Sequence, residues 1–289
     1  MQLPKPIDDL VRASSNSDME HFLETWADDA ILVDSHRQYW GKEAIRRWSS
    51  IEWIGDYVKF TDVRRVRKHY DELIVDAGLA GIYDTQGLPS DYVIRFHFKL
   101  RSDKIARLII LPCDGRRLGK MTQTRMASTC FSAPAPLSYR GNMPPELPHA
   151  VFNLIEALRR SKVGDLLESF TDDALVNDKH RDFWGKDAIR RWSESEMTGV
   201  GITVDVRQVD ERYGDIILTT RVGGHFDKRT FDTFTVNNSL RVKFGTMTEV
   251  HLAFYITLHE DKISQLIITP IDGASPIETD QTPFYVAYP

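Results

Sequence analysis

The sequence predicts an α+β protein built from two copies of one domain. Each copy has three helices followed by a curved, mostly antiparallel sheet. Three observations lead there. The stretch "DDAILVDSHRQYWGKEAIRRW" beginning at Asp28 returns as "DDALVNDKHRDFWGKDAIRRW" beginning at Asp172. In both copies helical periodicity comes first and period-two strand patterns come after it. The chain of 289 residues also exceeds the common size of a single domain.

The copies align without a gap from Leu10/Leu154 through Glu52/Glu196, and again with a one-residue shift at Tyr70/Tyr213. The second copy then carries about fifteen extra residues within "KRTFDTFTVNNSLRVKFGTMTEV". A repeat this long, with mixed helix and strand signals, is a duplicated domain and not a solenoid unit. In the second copy "VFNLIEAL" sets Val151, Leu154, Ile155 and Leu158 at helical spacing, and "DLLESF" reads as a short second helix. "ALVND" is a strand. "GKDAIRRWSESE" returns to helical period, with Ile189 and Trp192 inward and Arg190 and Arg191 outward. Long strands follow: "ITVDVRQVDERY", "DIILTTRVGGHF", and a hairpin in "LAFYITLHEDKISQLIITP" turning at Glu260-Asp261. The matching hairpin of the first copy, "IRFHFKLRSDKIARLIILP", places Ile94, Phe96 and Phe98 on one face.

These patterns set expected boundaries: a first domain over 1–116, a Pro/Ser-rich linker over 117–147, and a second domain over 148–289. The second domain is expected to add a hairpin near 228–250 and a C-terminal tail whose aromatics pack on a domain. The formal net charge of -5 gives no global attraction for nucleic acid or an anionic membrane. The basic run "RRVRKHY" at Arg64 reads as a solvated strand face. Cys113 and Cys130 are too few for a disulfide framework or a structural zinc site. No apolar run approaches the ~20 residues of a membrane-spanning helix. The start "MQLPKPIDDLVRASS" lacks the pattern of a secretion signal, so the expectation is a cytoplasmic protein.

The element order, with "WADDAILVD" and "FTDDALVND" closing strands in Asp and Gly-Lys-x-Ala-Ile opening the third helix, resembles the nuclear transport factor 2-like superfamily. Its SnoaL-like and ketosteroid-isomerase-like branch is the nearest in look. The resemblance covers most of both copies. It implies two tandem conical domains, cystatin-like rolls, each enclosing an apolar pocket between helices and sheet. It also implies that the aspartate closing the D-D-A-x-x-x-D stretch, Asp34 or Asp178, is the base that moves a proton beside a carbonyl. The rest of the isomerase machinery does not carry over. The oxyanion-hole tyrosine aligns with Leu10 and Leu154, and the protonated aspartic acid aligns near Phe96 and Phe254. The fold hosts many reactions and non-catalytic binders, so it fixes no function by itself.

The candidate catalytic residues are therefore Asp34, His36, Asp178 and His180. A carboxylate facing an apolar cavity has its pKa raised towards a value useful for proton transfer. The plainer role for either Asp is to cap the turn that follows it. If the strand runs on for two residues, Asp and His share a face and form an acid/base dyad. Otherwise each His is a surface turn residue. Arg37 and Arg181 are candidates to bind a substrate carboxylate or phosphate, or else pair with acids of the same loop. Glu52 and Glu196 are candidate second pocket carboxylates or solvated helix-end acids. Trp40, Trp184, Trp48 and Trp192 are core anchors, Trp40 and Trp184 also being candidates to line the pocket. Tyr39 and Phe183 read as packing residues. No metal set is found and no organic cofactor is expected, since metal-ligand spacings, phosphate loops and nucleophile elbows are missing from the sequence.

Two functions compete. One is a cofactor-independent lyase, isomerase or cyclase acting on a small, largely apolar carbonyl compound. The other is a non-catalytic binding or scaffolding protein whose tandem forms a pseudo-dimer within one chain, with neither nucleic acid nor membrane as partner.

Overall fold

The computed structural model describes residues 3–34, 37–82, 93–113, 147–178, 181–196, 202–224 and 248–271. The expected linker and the expected extra hairpin, except its last three residues, lie outside them, as does the tail. The chain divides into two compact units. The first contains α1 (Lys5–Asn16), α2 (Met19–Glu24), β1 (Trp26–Asp34), β2 (Arg37–Trp40) and α3 (Lys42–Trp48). A single π-helical turn, Ser49–Trp53, follows, and then β3 (Lys59–His69), β4 (Glu72–Ala80), β5 (Val93–Arg101) and β6 (Lys104–Pro112). The second repeats the order with α4 (His149–Arg160), α5 (Val163–Glu168), β7 (Phe170–Asp178), β8 (Arg181–Trp184) and α6 (Gly185–Glu196). Its sheet is completed by β9 (Thr203–Arg212), β10 (Asp215–Gly224), β11 (Thr248–His259) and β12 (Lys262–Pro270).

Each unit holds one six-stranded sheet, in the orders β2-β1-β6-β5-β4-β3 and β8-β7-β12-β11-β10-β9. All neighbours are antiparallel except β1 with β6 and β7 with β12. That parallel pair brings the last strand of the unit beside the strand that ends in Asp34 or Asp178. The helices cover one sheet face and share a core with it. In the first unit Ile7, Leu10, Ile45 and Trp48 meet Leu32, Val75, Phe96 and Phe98. In the second, Leu154, Ile155, Ile189 and Trp192 meet Val176, Leu218, Phe254 and Ile256. The α+β class and the two tandem rolls expected from the sequence are what the structure contains.

Local chemistry repeats as well. α1 and α4 each end on a left-handed serine, Ser17 (φ 53) and Ser161 (φ 52). The following backbone N–H then reaches back to a helix carbonyl, Asp18 to Ala13 and Lys162 to Ala157, both at 2.9 Å. Gly41 (φ 85) and Gly185 (φ 73) occupy conformations that side chains avoid, turning each short strand into its third helix. The basic run of β3 is exposed at Arg64, Arg65 and Lys68 on an edge strand, as the sequence indicated. Among the described residues no helix is long and apolar enough to cross a membrane.

One element goes beyond the sequence reading. The residues after Asp34 read equally as a continuing strand or a loop, and Arg37–Trp40 forms a separate strand, β2, paired with β1 in a register that sets Asp34 opposite Arg37 and Ile31 opposite Trp40. The second unit does the same, with Asp178 opposite Arg181 and Leu175 opposite Trp184. Sequence periodicity could not find this strand, because four residues beside a glycine are too short to show a period.

Candidate active site

The site is the corner where β1, β2 and α3 meet, and its counterpart of β7, β8 and α6. Period two along β1 places Asp34 on the same side as Leu32, facing the helices. Trp48, on the buried face of α3, donates its indole N–H to Asp34 Oδ2 at 3.1 Å. In the second unit Trp192 donates to Asp178 Oδ2 at 2.9 Å. The two tryptophans, read from sequence as core anchors, are thus also the donors that orient the two aspartates. Asp178 is buried at 6% exposure, whereas Asp34 is partly exposed.

The cation beside each aspartate comes from the short strand. Arg37 Nη2 reaches Asp34 Oδ2 at 3.2 Å, and Arg37 also forks onto Glu52, with Nη1 donating to Oε1 at 2.7 Å and Nη2 to Oε2. Its guanidinium carbon lies 5.7 Å from the centre of the Tyr39 ring. Burial alone would lower the pKa of Arg37. The Glu52 carboxylate, with Tyr39 and Asp34, more than offsets it and holds the guanidinium above its already high range. In the second unit Arg181 lies 5.4 Å from the centre of the Phe183 ring. The packing residues Tyr39 and Phe183 therefore also serve as the surfaces on which the two guanidinium groups rest.

The remaining candidates separate. Glu52 joins the corner through Arg37 and is not a solvated helix-end acid. Trp40 and Trp184 lie on the opposite sheet face from Asp34 and Asp178, because one residue of strand separates them from Tyr39 and Phe183. The structure does not bring those two tryptophans to the corner. β1 runs to Asp34 and β2 begins at Arg37. His36 and His180 lie outside the described residues, and so does the side chain of Glu196. Among the described residues, no three His, Cys, Asp or Glu side chains converge to hold a metal ion.

One residue of the corner went unnoticed in the sequence. Trp53 closes the π-helical turn, where Ile54 N–H bonds to Ser49 O at 2.7 Å. A side chain at Gly55 would put its Cβ 2.3 Å from Ser50 O, so the turn requires glycine there. The turn directs Trp53 inward onto Trp48, with ring centres 5.4 Å apart. A tryptophan five residues after another does not follow the 3.6-residue period, which is why the helical pattern passed over it.

No protein-family model and no curated protein sequence matches the chain. Solved structures do match. A candidate polyketide cyclase from Sinorhizobium meliloti is 26% identical, covering 37% of this chain and 94% of its own, with a TM-score of 0.34. A candidate SnoaL-like polyketide cyclase from Shewanella putrefaciens is 15% identical, covering 44% and 90%, with a TM-score of 0.35. An epoxide hydrolase from Mycobacterium tuberculosis is 12% identical, covering 43% and 80%, with a TM-score of 0.33. Each spans about two fifths of this chain and most of its own length, the size of one unit. The sheet order and the helices before it give the chain two tandem α+β roll domains.

Proposed function

We propose that the chain is a cofactor-independent lyase or isomerase, of the kind that includes cyclases, acting on a small, largely apolar carbonyl compound. In this proposal Asp178 is the base. Its carboxylate takes a proton from the carbon beside the carbonyl, and the C–H electron pair moves into an enolate. The proton then returns at another carbon, or the enolate expels a leaving group. His180, two residues beyond Asp178 in the sequence, is the proposed partner that carries the proton onward. Arg181 is the proposed partner of a developing or resident negative charge on the ligand.

The observation that carries this reading is the repeated indole-to-aspartate hydrogen bond, which holds a carboxylate in one orientation at the rim of an apolar core. Holding a base in place before its substrate arrives is a large part of acid/base efficiency. The second reading is binding or support without turnover, and the first unit's Arg37, which bonds to Asp34 and is itself held by Glu52, suits it. In the same proposal the duplication takes the place of a homodimer.

The test is deuterium uptake. A panel of small ketones and cyclic enones is incubated with the protein in heavy water and followed by NMR at the carbon beside the carbonyl. The proposal expects catalysed exchange that Asp178→Asn abolishes and Asp34→Asn leaves in place. Failure of every panel member, or full exchange by Asp178→Asn, sinks it.

A further inference from the structure

Trp53 of the first unit has the surroundings of a bound ligand. It is 5% exposed and has four aromatic neighbours. The Trp48 ring centre lies at 5.4 Å, Phe60 at 5.9 Å, Phe96 edge-on at 6.3 Å and Phe22 at 6.5 Å. Its indole N–H donates to Ser14 Oγ at 2.8 Å, and the fully buried Ser14 hydroxyl in turn donates to Leu10 O at 2.8 Å. One ring further on, Trp48 holds Asp34. The side chain therefore lies against the Trp48 ring, with a polar contact at its own one polar atom.

The second copy lacks both members of this arrangement in its sequence. Leu158 stands where Ser14 stands, and Met197 stands where Trp53 stands. Val204 replaces Phe60, and Phe170 replaces Trp26. The serine and the tryptophan are absent together, as expected if the hydroxyl serves the indole.

We infer that Trp53 is the built-in occupant of the first unit's ligand chamber, and that the cradle it fills recognises a planar aromatic heterocycle carrying one N–H. Resting on the reading above that a ligand lies beside the aspartate, this makes Trp53 the residue that closes the first unit's chamber, where the second copy's sequence has Met197. Removing the side chain empties an apolar, aromatic-walled space with one hydroxyl acceptor, and such a space accepts a matching small molecule.

The experiment reads the first unit alone and involves no turnover. Trp53→Ala is titrated with indole and with indene, which has the same shape without the N–H, and binding is followed by calorimetry and by the rise in Tm. The inference expects saturable binding of both, with indole favoured by about tenfold for its one buried hydrogen bond. It also expects that the double variant Ser14→Ala with Trp53→Ala loses this preference. The unaltered chain should leave the Trp48 indole N–H resonance unmoved by indole. Should Trp53→Ala not fold, Trp53→Met, which places the second unit's residue in the first, is titrated with benzene and is expected to bind it. Absence of binding by the folded variants, or a Trp48 resonance that moves in the unaltered chain, overturns the inference. Neither result bears on Asp178, whose test is deuterium exchange.

Discussion

The two units share topology, register and the tryptophan-to-aspartate bond, yet they differ in what surrounds that bond on either side of the sheet. On the helix side the first unit packs aromatic rings where the second packs aliphatic chains: Phe22 against Leu166, Phe60 against Val204, Phe98 against Ile256. On the other face the first unit pairs several charged groups where the second sets neutral groups beside a single carboxylate, Asp215. Arg107 bonds to Glu72, and His97 lies 3.3 Å from the same carboxylate, all three buried. Arg95 forks onto Asp76 at 2.7 and 2.9 Å. The same register positions in the second unit hold Asp215, Thr219, Ala253, Tyr255, Thr257 and Gln265, with Thr257 donating to Asp215 at 2.7 Å. Duplication kept the frame and freed the surfaces on it to diverge. The ionic face binds strands together by directional ion pairs whose desolvation is costly, and in the second unit a threonine hydroxyl bonds to the one carboxylate instead.

The comparison breaks most sharply at the aspartates. Asp178→Asn keeps the acceptor for Trp192 and removes only the basic oxygen, so exchange activity should fall by about 10²- to 10⁴-fold while the unit stays folded. Asp34→Asn should cost little activity. The next largest effect is on stability. Trp53→Ala should destabilise the first unit by about 3–5 kcal/mol, the range for losing a buried aromatic side chain. Peptide-resolved hydrogen exchange should place that loss in β3, β5 and α1 and leave the second unit protected.

A third effect is acid sensitivity. Burial would raise the pKa of Asp76, but the two bonds from Arg95, with further help from Cys113 and Arg65, hold it below the usual carboxylate value. A depressed folded pKa contributes stability that is full above the unfolded pKa, about 3.9, and is lost as pH falls through the folded value. Below about pH 4, therefore, β4 and β5 should lose exchange protection before β10 and β11 do. Asp76→Thr with Arg95→Ala, the residues at the same register in the second unit, should remove the difference. The smallest effect concerns a helix start. Asp18 caps α2 by accepting the His21 N–H at 3.1 Å, whereas Lys162 at the same place makes no side-chain cap to α5. Lys162→Asp should stabilise the second unit by about 1 kcal/mol, visible as a small rise in its denaturant midpoint.

Much of the frame was legible because it is written in local patterns and written twice. Ile45 with Trp48, Ile189 with Trp192, and Ile94, Phe96 and Phe98 follow the periods of helix and strand, and their faces form or pack against the apolar cores. The site was legible only in part. Asp34, Arg37 and Glu52 meet as one group, but their meeting depends on the antiparallel return of β2, which four residues do not announce. Trp40 shares its neighbourhood in sequence with Tyr39 and not its side of the sheet, a distinction only the register supplies. His97 and Lys99 alternate with Phe96 and Phe98 as solvent-facing residues would, yet they are buried, with Glu72 of β4 beside His97 and Asp71 of the turn before β4 paired with Lys99. Trp53 was hidden by the π-helical turn, which breaks the helical period where the side chain turns inward.

The most direct measurement uses the two indole N–H groups as separate reporters of the two corners. A ¹⁵N–¹H spectrum of the full chain, with the Trp48 and Trp192 indole resonances assigned by single substitutions, is recorded while a small cyclic enone is titrated in. A ligand-accepting second unit and a self-filled first unit predict that the Trp192 resonance shifts and saturates while that of Trp48 stays still. A shift confined to Trp48, equal shifts of both, or no shift of either would contradict the assignment of the reaction to Asp178.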